Sequence, residues 1–261
     1  MASLHTVERA GAPPLIVLVH GSMDRASSFS KVMSALAAAG RNVVAYDRRG
    51  YAHSRNSGPP PASLDEQSDD LLSVMAGRRS VIAGHSLGAD VAMLTAVRRP
   101  DLVAALVVWE PPMPWMDWWP TDGSGGFAVG NGVMDSDDPV DPADAAEGFI
   151  RRVVGDDRWE KLPPSTKEAR RAEGATLVAE LRSVRGEPPF DPADIRVPTV
   201  IGCGTESRDH HRESTSRLVE IIPGAELHVV EGAQHGCHLS HPNEFAALVE
   251  RALVLGTEVA T

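Results

Sequence analysis

Short, strand-sized apolar runs alternate with amphipathic stretches along most of this chain, and that alternation constrains the fold more than any other feature. Residues 15–19 (LIVLV), 42–46 (NVVAY), 80–83 (SVIA) and 102–109 (LVAALVVW) are continuous apolar runs, each far too short to cross a membrane. Residues 27–39, 65–75 and 87–98 separate them with helical spacing of apolar positions. Strands that are apolar throughout are buried on both faces, so the expected fold class is α/β, a mostly parallel sheet flanked by helices. With 261 residues, 42% of them hydrophobic, the chain is long enough to cover such a sheet.

After residue 110 the alternation stops. Residues 111–189 hold Trp- and Pro-rich turns, a Gly-rich stretch at 123–132, an acidic run at 135–144 without calcium-loop spacing, and two helical segments. Asp141-Pro142 opens one helix as an N-cap followed by proline, and the other covers residues 165–184. Alternation resumes with a strand at 197–203, a helix near 213–222, a strand at 226–230 and a last helix from Pro242. A structureless connection of about 80 residues is implausible in a compact domain. The chain therefore divides into an α/β core, residues 1–110 and 190–261, and a helical cap, residues 111–189.

Charge narrows the class of partner. Lys and Arg number 25 against 36 Asp and Glu, a formal charge of −11, which repels phosphate backbones and anionic lipid. The expected partner is a small molecule, with no nucleic acid and no membrane. The first residues lack a basic stretch followed by an apolar one, so no secretion signal is visible. Two cysteines, Cys203 and Cys237, exclude a disulfide scaffold and are expected as free buried thiols of a soluble, cytoplasmic protein.

Gly84-His85-Ser86-Leu87-Gly88 fits G-x-S-x-G between a strand and a helix. The two glycines leave room for a sharp turn that lifts the serine hydroxyl above the strand ends, and the helix beginning at Leu87 aims its positive end at a developing oxyanion. From here the sequence resembles the α/β-hydrolase superfamily. His20-Gly21-Ser22 resembles its HG-x turn, residues 47–54 (DRRGYAHS) its D-x-R-G-x-G-x-S loop with Ala52 and His53 departing, and Gly232-Ala233-Gln234-His235 its histidine loop. The resemblance implies backbone oxyanion donors at Ser22 and Leu87. The fold usually places two strands before the one at Leu15, and the few residues available imply a shortened sheet edge.

Of the ten histidines, only His235 has the position after a strand that matches the chain order of nucleophile, acid and histidine. His85 is expected to point away from Ser86, and His210 and His211 to begin a solvated helix. The acid has three candidates. The family often places it three residues beyond the glycine ending the penultimate strand, which is Ser207 here, flanked by Glu206 and Asp209. A second placement falls on Glu110, which closes an apolar strand where a lone carboxylate is costly unless partnered. Glu110 is preferred. Trp109, Trp115, Trp118 and Trp119, with Met113, are expected to form an apolar acyl pocket or to glue the cap to the core.

The resemblance implies a carboxylesterase-like serine hydrolase acting on an ester-like bond of a small, largely apolar substrate, with no cofactor and no metal. Thioester, lactone or C–C hydrolysis, acyl transfer and cofactor-free peroxidation are related activities, and a ligand-binding receptor on the same fold is the rival class. Dehalogenases and epoxide hydrolases use aspartate where Ser86 stands.

Overall fold

A computed structural model describes residues 3–120, 141–185 and 187–258. Among these, β1 (Thr6–Arg9), β2 (Ala12–Val19), β3 (Arg41–Tyr46), β4 (Ser80–His85), β5 (Val103–Trp109), β6 (Thr199–Gly204) and β7 (Glu226–Val230) form one sheet in the order β1-β3-β2-β4-β5-β6-β7. Every neighbouring pair is parallel except β1 and β3. The shortened edge is this single antiparallel strand, which the sequence did not announce because its four residues are mostly exposed and pair through backbone alone.

Parallel neighbours require crossovers, supplied by α1 (Ser30–Ala38), α2 (Leu64–Met75) and α3 (Leu87–Arg98). Alternation along β2 divides the core. Leu15, Val17 and Val19 pack with Leu71 of α2 and Val91 of α3, whereas Ile16 and Leu18 pack with Val32 and Leu36 of α1 on the other face.

Between β5 and β6 stand α4 (Pro142–Val154), α5 (Asp156–Glu160), α6 (Pro164–Arg171) and α7 (Gly174–Ser183). Asp141 caps α4, accepting from the Ala143 N–H at 2.8 Å. The single helix expected over 165–184 is two helices. The chain bends where α7 meets α4: a Cβ on Gly174 would lie 1.8 Å from the Pro142 carbonyl oxygen. The Gly-rich stretch 123–132 and residues 135–140 of the acidic run lie outside the described residues.

After β6, α8 (Asp209–Ile221) starts earlier than expected and so carries His210 and His211 in its first turn. Then come α9 (Cys237–Ser240) and α10 (Pro242–Glu258), whose Phe245 and Val249 complete the α1 side of the core. No helix of the described residues is long and apolar enough to cross a membrane.

Candidate active site

The loops singled out by the sequence all leave the carboxyl ends of parallel strands, where open α/β sheets bind ligands. Ser86 joins β4 to α3 with φ 53 and ψ −132, a conformation that a residue with a side chain holds only when its surroundings impose it. The flanking glycines impose it by close approach. A Cβ on Gly84 would lie 2.4 Å from Ala89 Cα, and one on Gly88 2.3 Å from the Val19 carbonyl oxygen. Gly88→Ala should therefore force α3 off β2 and cost about 2–3 kcal/mol. A urea midpoint that does not fall would contradict this contact.

The His20-Gly21-Ser22 turn presses against the same serine, since a Cβ on Gly21 would lie 2.8 Å from Ser86 Cβ. His20 holds that turn from below. Its Nδ1–H donates to the Gly21 carbonyl at 2.7 Å, and its Nε2 accepts from the Arg48 N–H at 2.9 Å.

Glu110 follows β5 with φ 45 and is fully buried. One carboxylate oxygen accepts from the Gly204 N–H at 3.0 Å and from the Ser207 hydroxyl. The other lies 2.8 Å from Nδ1 of His235. This contact fixes the proton on Nδ1 and leaves Nε2 as the basic nitrogen. The His235 carbonyl is also gripped, by Trp109 Nε1 at 3.0 Å and His85 Nε2 at 2.9 Å. Glu206 and Asp209 take no part: Glu206 meets the Gln234 amide at 3.4 Å, and Asp209 pairs with Arg212.

Ser86 and His235 open into a cavity of about 200 Å³, which Ser22 and Leu87 also line. Pro112, Phe149, Val153 and Leu181 form its apolar side, and Arg152, Glu206, Arg208, His210 and His211 much of its polar side.

The model of the alpha/beta hydrolase family matches residues 16–248. The chain belongs to this family. It is 25% identical over 252 residues to the sn-1-specific diacylglycerol lipase ABHD11 of Danio rerio, covering 90% of this chain and 76% of that protein. It is 36% identical to an epoxide hydrolase of Caballeronia sordidicola over 110 residues, only 40% of this chain and 32% of that one. Its fold is shared with a thermophilic esterase from Thermogutta terrifontis, with a TM-score of 0.72 at 20% identity, covering 97% of this chain and 93% of that one.

On this alpha/beta-hydrolase frame several expectations change. None of the five residues expected as an aromatic pocket lines the cavity. Trp109 is fully buried beside Phe245, with ring centroids 6.1 Å apart, because it shares a face of β5 with Val107. Met113 and Trp119 are buried in the opposite cluster, Trp115 packs edge-on to Phe190 at 5.5 Å, and Trp118 is half-buried without reaching the cavity. Their large apolar surface serves the core. His210 and His211 are not solvated: both are buried, and the His211 ring stacks on His235 at 4.3 Å and 11°. The His85 ring, whose Nε2 meets the His235 carbonyl, lies tilted at 47° to both the His235 and His238 rings, with centroids 4.7 and 4.2 Å away.

The sequence reading missed Glu180. It lies on α7 in the same stripe as Leu177 and Leu181, and a charge in an apolar stripe was the available signal. Fully buried, it pairs with Arg48 and accepts from the Tyr51 hydroxyl at 2.6 Å and the Ser22 hydroxyl at 2.8 Å, tying the helical segment to the His20-Gly21-Ser22 turn. Three groups of described residues bring potential metal-ligand atoms within 4.8 Å: His5, Asp47 and His53; Asp24, His85 and His238; and Glu110, His211 and His235. In each, an acid and a histidine already share a hydrogen bond.

Burial, reinforced by Arg48, lowers His20 to about 3. An unfolded chain protonates this ring near pH 6.5 while the folded one does not, so stability is lost as pH falls below that value, by about 1.4 kcal/mol per unit from this group. Urea midpoints between pH 5 and 7.5 should therefore show a steeper acid loss in the wild type than in His20→Asn. Equal slopes would contradict a neutral, buried His20.

Proposed function

We propose that this protein is a serine hydrolase that cleaves an ester-like acyl bond of a small substrate through an acyl-enzyme. The observation that carries the reading is the Glu110–His235 hydrogen bond at 2.8 Å, beside a serine held in a strained strand-to-helix turn and opening into the same cavity. Nε2 of His235 takes the Ser86 hydroxyl proton as Oγ attacks the substrate carbonyl carbon. The N–H groups of Ser22 and Leu87 hold the oxyanion, and Glu110 steadies the imidazolium. That imidazolium returns its proton to the departing alcohol as the C–O bond breaks. Water then attacks the acyl carbon, giving its proton to His235, which returns it to Ser86 Oγ as the acyl C–O bond breaks and the acid departs.

The helices of residues 111–189 act as a cap, with Phe149, Val153 and Leu181 offering the apolar wall for the acyl chain. An epoxide-hydrolase reading would need a carboxylate nucleophile, and position 86 is serine. Burial pushes the Cys237 thiol up to about 12, and both cysteines are free, which fits a reducing cytoplasm. The test is steady-state and burst kinetics with short 4-nitrophenyl esters. Turnover with a burst equal to the enzyme concentration supports an acyl-enzyme, and folded protein without turnover on short acyl chains contradicts it.

A further inference from the structure

We propose that the substrate carries a carboxylate, held between Arg152 and Arg208 in the wall of the Ser86 cavity. The proposal rests on the serine-hydrolase reading for the bond cleaved, and on separate residues for the group recognised. Arg152 comes from the last turn of α4 and Arg208 from the residue that opens α8, so two distant parts of the chain bring guanidinium groups to the wall of one cavity. Burial, and then the charge of Arg208, lowers Arg152 from its ordinary value. Arg208 is exposed, and among the described residues its side chain makes no ion pair or hydrogen bond, so its donors are open to solvent and to a ligand entering the cavity.

The surrounding charges favour the same sign of ligand. The chain as a whole carries −11, yet among the described residues this cavity is lined by Arg152 and Arg208 and by one carboxylate, that of Glu206. The Glu110 carboxylate is buried and fully engaged by His235, Gly204 and Ser207. The first turn of α8, a helix of 13 residues, also lines the cavity and adds the positive end of its dipole. Phe149 lies under the Arg152 guanidinium at 5.5 Å, which holds that side chain over the apolar wall. A planar carboxylate matches the fork of a guanidinium, and about 200 Å³ suits a short acyl compound with one such group. The largely apolar substrate expected from sequence thus gains an anionic end.

Two matched ester pairs test this: 4-acetoxybenzoate against its methyl ester, and mono-4-nitrophenyl adipate against 4-nitrophenyl hexanoate. The first pair places the charge on the leaving group, the second on the acyl chain. The anionic member of at least one pair should be preferred at least tenfold in kcat/KM, and Arg208→Gln should cut that preference tenfold or more, chiefly through KM. Preference for the neutral member in both pairs, or a preference that survives both Arg208→Gln and Arg152→Gln, overturns the proposal. Adipate binding to Ser86→Ala protein, measured calorimetrically, separates recognition from chemistry. Binding that weakens at least tenfold on adding Arg208→Gln supports the anion site even if no ester is cleaved. Ester turnover without adipate binding and without charge preference removes the anion site and leaves the hydrolase.

Discussion

Ser86→Ala protein should fold as the wild type does and turn over short esters at least about 10⁴-fold more slowly, with the loss in kcat. The substitution removes one oxygen from a residue whose backbone is held by its neighbours: the Ser86 N–H donates to the Trp109 carbonyl at 2.9 Å, and its carbonyl accepts from the Ala89 N–H at 2.7 Å. The turn is shaped by Gly84 and Gly88, so the fold does not depend on the hydroxyl. On the proposed mechanism, the Ser22 and Leu87 N–H groups and substrate binding remain after the substitution and keep a small acceleration over water. A circular dichroism spectrum and urea midpoint matching the wild type, together with the collapsed kcat, constitute the expected result. Retention of more than about a tenth of kcat would mean that another group carries the chemistry.

Glu110→Gln is expected to lower kcat by about 10³–10⁴, the second largest effect. The amide oxygen keeps the bonds from the Gly204 N–H and the Ser207 hydroxyl, which fixes the amide's orientation and turns its NH₂ toward Nδ1 of His235. Nδ1 must then accept, so the proton moves to Nε2 and the ring can no longer take one from Ser86. Glu206→Gln and Asp209→Asn should change kcat by less than about threefold, because neither carboxylate reaches His235 and Asp209 is occupied with Arg212. Parallel kinetics on the three variants separate the candidates. A small effect at Glu110 with a large one at Glu206 or Asp209 would move the acid to the β6 loop.

The parts legible in sequence are those where local chemistry and tertiary role coincide. β4, β5 and β6 are buried along their whole length, so their continuous apolar runs announce both strand and sheet class. The Ser86 turn is legible because its two glycines are needed within five residues, and Glu110 because a charge ending an apolar strand requires a partner. β1 escapes notice because an exposed edge strand needs no apolar pattern. The tryptophans mislead because an apolar ring favours core and pocket alike; alternation along β5 was the better guide for Trp109, which faces the side occupied by Val107. Ser207 stands where the family often has its acid and instead donates to Glu110, a compensation only the juxtaposition of β5 and β6 reveals. Arg152 lies within the long insertion and Arg208 beyond it, yet both line one cavity, a placement that no local pattern encodes.

Acylation of Ser86 can be read by peptide mapping with mass spectrometry after treatment with a fluorophosphonate. One adduct per chain is expected, on the peptide containing Ser86, with esterase activity lost in proportion and no adduct in Ser86→Ala protein. Labelling confined to another residue, or a folded protein that takes up no label while still cleaving esters, would contradict it.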